Sequence, residues 1–387
     1  MNENMFDNLQ RLAQSTGADA VFELLARRFR DEKRYPHLFE ARLMHKRREL
    51  GLPLIQVESL GELPDDKRRT YEDAYIAAAR EVGGLFLAEG DIVRAWPYFR
   101  AIGETTSVTE AIEKVEPSEG LEPIIEIAYH ERANPRKGFE LILANYGTCS
   151  AITSFEQFPG REGREDCIRI LVLRLHGDLV ESLRNAIASR EGQAAESRNI
   201  PSLISGREWL FADNNYHIDT SHLASVIRFS IDLHDRESLA LAFELTKYGE
   251  RLSPLFHYRG QPPFESIYTD YGTYLQALLG QDETAAIDHF RQKARTADPN
   301  EVGSGPAQVL VGLLSRLGRY LEAIDASLEF LGGVEPGHLA CPSVVQLCQL
   351  AGDYERLKAV ARKQDDLLSF AAALLAADSK PDGSPSG

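Results

Sequence analysis

Two histidines and an aspartate fall within six residues of NNYHIDTSHLASVIRFS, Asn214 to Ser230, where an apolar helix begins. Two imidazoles and a carboxylate suit a divalent ion, zinc, iron or manganese, with positions left open for water or substrate. His217 and Asp219, two apart on the extended approach, fall on one side of the chain. His222 lies at the start of the helix and shares a row with Val226, Phe229 and Leu233. The same residues have a plainer use. Asp219 or Thr220 can cap the helix, His217 can bond a loop carbonyl, and His222 can fill the edge of a core.

Two further clusters could do chemistry. In EPIIEIAYHERANPRKGFELILANYGTCSAITSFEQ, Glu122 to Gln157, Glu126 and His130 stand at i and i+4 of a helix opened by Pro123. They would form an oriented acid–base pair or add His130 to the ligands His217, Asp219 and His222. A helix-surface hydrogen bond is the alternative. In LFHYRGQPPFESIYTDYGTY, Leu255 to Tyr274, Pro262 and Pro263 force a loop between helices, and His257, Tyr258, Arg259 and Tyr271 are the ligand-binding candidates. Cys149, in GTCSAIT, reads better as a buried thiol than as a nucleophile. The chain carries no Gly-rich phosphate cradle, no GxSxG elbow and no HExxH pair, so no organic cofactor is implied.

The elements that must position these residues are helices. Val21, Leu24, Leu25 and Phe29 follow one helix face, and the same period returns in SHLASVIRFSIDL and AQVLVGLLSRLGRY. Alternating strand-like runs are nearly absent, so the expected class is all-α. A Gly-Asp or near equivalent closes one helix and a small residue about five positions on opens the next, from Gly90, Gly177, Gly280, Gly318 and Gly352. The last three lie 38 and then 34 residues apart, the length of a helical hairpin. The expected segments are 1–119, 120–274 with the candidate site, 275–375 of hairpins, and a disordered tail 376–387. A polar loop from Ala186 to Gly206 is expected to separate a pair of helical halves.

From Tyr271 to Leu375, YLQALLGQDETAAIDHF and VGLLSRLGRYLEAIDASLEFL resemble the tetratricopeptide (TPR) family in their small-residue, Gly and Ala-x-x-x-large pattern. The family's Trp and closing Pro positions are missing, and the N-terminal two thirds match only in pieces. The resemblance implies an α/α superhelix, a TPR-like solenoid of hairpins, with a concave groove that binds partners. It implies no catalytic residue.

Composition bounds the partners. Lys and Arg number 43 against 59 Asp and Glu, a formal charge of -16, which repels nucleic acid and anionic membrane surfaces. Nine cations against three anions between Arg27 and Arg48 make one basic exception, read as a solvated face. The start MNENMFDNLQRLAQSTG lacks a secretory pattern, and no run reaches the roughly 18–20 apolar residues of a membrane span. Four scattered cysteines make no disulfide framework, so the expected address is the cytoplasm. The expected function is a helical-repeat binding or scaffold protein that holds a protein, peptide or small molecule in its concave face. The alternative is a metal-dependent enzyme built from the His/Asp set.

Overall fold

The computed structural model describes residues 3–54, 64–158, 160 and 162–378. Among them there is no strand, only helices, turns and one isolated antiparallel bridge between Arg259 and Ser266. No helix among them is long and apolar enough to cross a membrane. The chain divides into two compact units between Cys167 and Ile168, a boundary that falls inside the stretch 120–274 read from sequence as one segment.

The first unit holds α1 (Glu3–Ser15), α2 (Ala18–Asp31), α3 (Tyr35–Glu49), α4 (Asp65–Ala88), α5 (Ile92–Ile102), α6 (Thr106–Glu113), α7 (Glu122–Ile125) with a π turn at Glu126–His130, and α8 (Pro135–Glu156). Each helix from α1 to α5 packs on the next, and α5 also meets α6 and α7. Their shared core includes Leu38, Val82, Phe86, Ala95, Phe99 and Ile112. Gly83 lets α4 approach α5 closely, since a Cβ there would lie 2.7 Å from the Phe99 ring.

The basic stretch Arg27–Arg48 is more engaged than a solvated face. Arg42 Nε donates to Glu81 at 3.0 Å, Arg30 pairs with the same carboxylate, and Lys33 meets Glu89 at 2.8 Å. Arg47 is buried, donates to the Pro53 carbonyl at 2.5 Å and stands over the Tyr71 ring. Two of these cations, Arg30 and Arg42, thus share one carboxylate on α4, Glu81, which the linear sequence places about forty to fifty residues away.

The division of the chain lies within α9 (Arg164–Glu191). The second unit continues with α10 (Ile200–Ile204), a 3-10 turn at Glu208–Asn214, α11 (Thr220–Phe229), α12 (Arg236–Gly249), α13 (Ile267–Leu278), α14 (Glu283–Thr296) and α15 (Pro299–Val302). It ends with α16 (Gly305–Arg316), α17 (Tyr320–Phe330), α18 (Val344–Ala351), α19 (Tyr354–Lys363) and α20 (Leu367–Asp378). From α11 onward contacts run between neighbours: α11 with α12 and α13, α13 with α14, α14 with α16, and then α16 through α20 in succession.

Several hairpin marks read from sequence behave as expected. Gly90, Gly280, Gly318 and Gly352 all have positive φ, the left-handed conformation that ends a helix at low cost when no Cβ is present. Ala95, Ala286 and Ala323, which follow the first three, are buried. Gly177 is a correction: α9 runs through it without a break, because Leu171, Leu175, Leu179 and Leu183 continue one buried stripe on both sides. The loop expected from Ala186 to Gly206 is also shorter. Helix α9 persists to Glu191, and Asn199 caps α10 by accepting from Ser202 N. The carboxylate of Glu244 on α12 fixes this loop, accepting from Ile200 N at 2.8 Å, from Asn199 Nδ2 at 2.5 Å and from His176 at 3.0 Å. The tail expected from residue 376 begins within α20, and 379–387 lie outside the described residues.

Candidate functional site

The His/Asp stretch resolves into a turn and a cap. Asp219 is the N-cap of α11; its Oδ1 accepts from Ser221 N at 2.9 Å, His222 N at 3.0 Å and Ser221 Oγ at 2.6 Å. The Ser221 hydroxyl, with the two backbone amides, holds the Asp219 carboxyl below its ordinary range against an opposing burial effect. His217 Nε2 donates to the Leu210 carbonyl at 3.0 Å, and its backbone N–H donates to the Tyr248 hydroxyl at 2.7 Å. Burial pushes the His217 imidazole down, with the Leu210 bond opposing. His222 is half-buried at the start of α11.

His130 belongs to the other unit and ends the π turn on its exposed side, with Glu126 exposed as well and no bond between the two. Tyr129, the residue before His130, is core. Its hydroxyl donates to the Ser154 carbonyl at 2.9 Å, and burial pushes that hydroxyl up. Among the described residues, no three His, Cys, Asp or Glu side chains come together to hold a metal ion, so His130, His217, Asp219 and His222 form no common ligand shell. Cys149 is exposed rather than buried, while Cys167 is a core thiol pushed up to about 12 by burial.

A cleft of about 620 Å³ lies in the second unit where the Pro-rich loop meets α11 and the start of α16. That volume suits a small ligand, since such sites run to roughly 300–1,000 Å³. Helix α11 contributes Ser221, Ala224, Ser225 and Arg228, a face at i, i+3, i+4 and i+7. The loop contributes Tyr258, Arg259, Gln261 and the Pro262–Pro263 pair, joined by a cis peptide bond. Phe264 stacks on Tyr271 with ring centroids 4.0 Å apart, and both line the cleft. Gly305 and Val309 of α16 close one side and also line an adjoining cleft of about 540 Å³ that reaches Gln308, Arg316 and Cys341.

The loop wall is pinned from behind. Asp270 on α13 is 2% exposed, and its Oδ2 accepts from Ser266 N at 2.8 Å and Lys293 Nζ at 2.9 Å, while Oδ1 accepts from His289 Nε2 at 2.8 Å. Lys293 also donates to the Pro263 carbonyl at 2.6 Å and to Glu265 at 2.5 Å. Glu265 is pushed up by burial, yet the Lys293 bond and the nearby Arg259 charge hold it lower on balance. Gly260 N donates to the Glu265 carbonyl at 3.0 Å, and a Cβ on Gly260 would fall 2.1 Å from the Phe264 carbonyl oxygen. Only glycine fits this closure of the loop. At the other end, the hydroxyls of Tyr258 and Thr220 share a hydrogen bond of 2.9 Å that ties the loop to α11.

Three of the four ligand candidates read from sequence, Tyr258, Arg259 and Tyr271, therefore line one cleft. His257 does not; it is exposed and meets Tyr268 edge-on at 5.4 Å. Sequence reasoning missed Ser221, Ser225 and Arg228, whose helical spacing was visible but lay on the face opposite the apolar stripe. It also missed Lys293, which no local pattern connects to the loop. Set against known proteins, the chain matches no protein-family model, no curated protein and no solved structure.

Proposed function

We propose that this chain is a ligand-binding protein of TPR-like α-hairpin architecture whose site is the cleft between α11, the Pro262–Pro263 loop and the start of α16. The observation that carries this is the cleft itself, 620 Å³ with an aromatic floor and a wall fixed from behind by Lys293 and Asp270. Side chains pinned in place bind with less loss of conformational entropy. Succession of contacts from α16 through α20, the left-handed glycines at 280, 318 and 352, and the buried Ala286 and Ala323 support the hairpin-repeat reading. All four cysteines are free thiols, which supports a reducing, cytoplasmic address. We place binding above a metal-dependent reaction because Asp219 and His217 are occupied by the α11 amides and the Leu210 carbonyl.

The test is a ligand-observed NMR screen of small aromatic and aliphatic fragments against the full chain, repeated with Val309→Trp, which fills the cleft from α16. Fragments that bind the parent should lose their signal with the variant, whose helical circular dichroism should be unchanged. A set of binders untouched by Val309→Trp, or no binders at all, refutes the cleft as the site.

A further inference from the structure

Charge is distributed unevenly around the cleft in a way that selects its ligand. The chain as a whole carries -16, yet the residues lining this cleft include two arginines, Arg228 and Arg259, and no carboxylate. The acids around the cleft have partners elsewhere or stand beside its lining without entering it: Asp270 is buried on Lys293 and His289, Glu265 is held by Lys293 with the Arg259 charge nearby, Asp219 caps α11, and Asp232 acts on Tyr271 alongside Arg228. Arg259 is exposed and its guanidinium makes no hydrogen bond or ion pair among the described residues. Arg228 donates to Ser225 Oγ at 3.1 Å, which sets its head group on the α11 face of the cleft. Gln261, also without a side-chain bond among the described residues, adds an amide donor on the loop side.

The same lining includes Pro262, Pro263, Phe264, Tyr271, Ala224 and Val309, an apolar part with a stacked aromatic pair. Guanidinium forks match the two oxygens of a carboxylate or phosphate, and stacked rings match a flat or aliphatic body. Resting on the binding reading above, we infer that the cleft takes a small organic oxyanion, a carboxylate or phosphate monoester on an apolar body, with Arg259 as the group that selects the charge.

Isothermal titration of the full chain with 4-phenylbutyrate, phenyl phosphate, the neutral 4-phenylbutyramide and inorganic phosphate tests this. Both organic anions should bind at least about tenfold tighter than the amide, as expected when a hydrogen bond to a charged group is gained. Inorganic phosphate, lacking the apolar body, should bind more weakly than phenyl phosphate, and the ratio of the two organic anions assigns the oxyanion. Arg259→Gln should erase the preference over the amide, and Arg259→Lys should restore some of it. Raising the salt should weaken the anions and leave the amide unchanged. The inference is overturned if the amide binds as tightly as the acids, if Arg259→Gln leaves their ratio intact, or if no probe binds. An equal affinity for amide and acids leaves the cleft as a binding site and removes only the charge selection, whereas failure of the Val309→Trp screen removes the site.

Discussion

Lys293→Met tests whether the wall of the cleft is held as the geometry implies. The substitution keeps a chain of similar length and removes three acceptors' partner at once: the Pro263 carbonyl at 2.6 Å, Glu265 at 2.5 Å and Asp270 at 2.9 Å. Asp270 is the costly one, because its side chain is only 3% exposed and stripping a partner from a buried ion pair costs roughly 3–5 kcal/mol. Two features lower that figure. Ser266 N and His289 continue to donate to Asp270, and the Lys293 side chain is 21% exposed, so water reaches the vacated position. The expected loss is therefore about 2–4 kcal/mol in urea unfolding followed by circular dichroism. The companion Asp270→Asn removes the charge that Lys293 balances, so the double variant should be more stable than the sum of the single losses by at least about 1 kcal/mol. A Lys293→Met protein within about 0.5 kcal/mol of the parent, or strictly additive losses, would refute the hub.

Asp219→Ala should cost about 0.5–2 kcal/mol of stability through loss of the α11 cap, with the metal content of the purified protein the same in parent and variant. Ala323→Leu, at a fully buried site on α17, should lower the unfolding free energy by roughly 1–3 kcal/mol, and an unchanged midpoint would reject the hairpin packing. His217 is held neutral by burial, with a folded-state value below the ordinary 6.5, so the unfolded chain takes up its proton first. Its contribution to stability is complete above about 6.5 and is lost as pH falls below that value toward the folded one. His217→Gln should flatten that region of the stability profile, and a profile of unchanged slope below about pH 6.5 would show that His217 is not desolvated.

How far the sequence could be read depended on the range of the interaction. Helices were legible because their signal is local: the stripes at Leu223, Val226 and Ile227 or at Leu310, Val311 and Leu314 are buried as their spacing requires. The glycine marks were less dependable, since Gly90 and Gly318 end helices while Gly177 sits inside α9. A glycine costs a helix about 1 kcal/mol, and the leucines flanking Gly177 bury enough apolar surface to override it. The cap at Asp219 was legible for the same local reason, and so was the Leu210 bond in outline, as a histidine near a loop carbonyl.

The site divides along the same line. A loop rich in aromatics and prolines announced itself, and Tyr258, Arg259 and Tyr271 do share a cleft. What made it a cleft was not in that loop. Lys293 on α14 reaches back 30 residues to the Pro263 carbonyl, and Ser221, Ser225 and Arg228 come from a helix some forty residues before it. Their spacing at i, i+4 and i+7 marks one helix face, but a small, polar face reads as solvent unless something is known to stand opposite. The His/Asp cluster shows the converse error of the same reasoning. Nearness in sequence suggested a shared shell, yet backbone groups at Leu210 and the α11 amides claimed those side chains first, since free helix-end amides and a loop carbonyl lie within reach of any polar side chain beside them. Adjacent polar residues at a helix start thus meet backbone partners before any ion, whereas the Arg259 guanidinium makes no hydrogen bond among the described residues and has only the charge of Glu265 nearby.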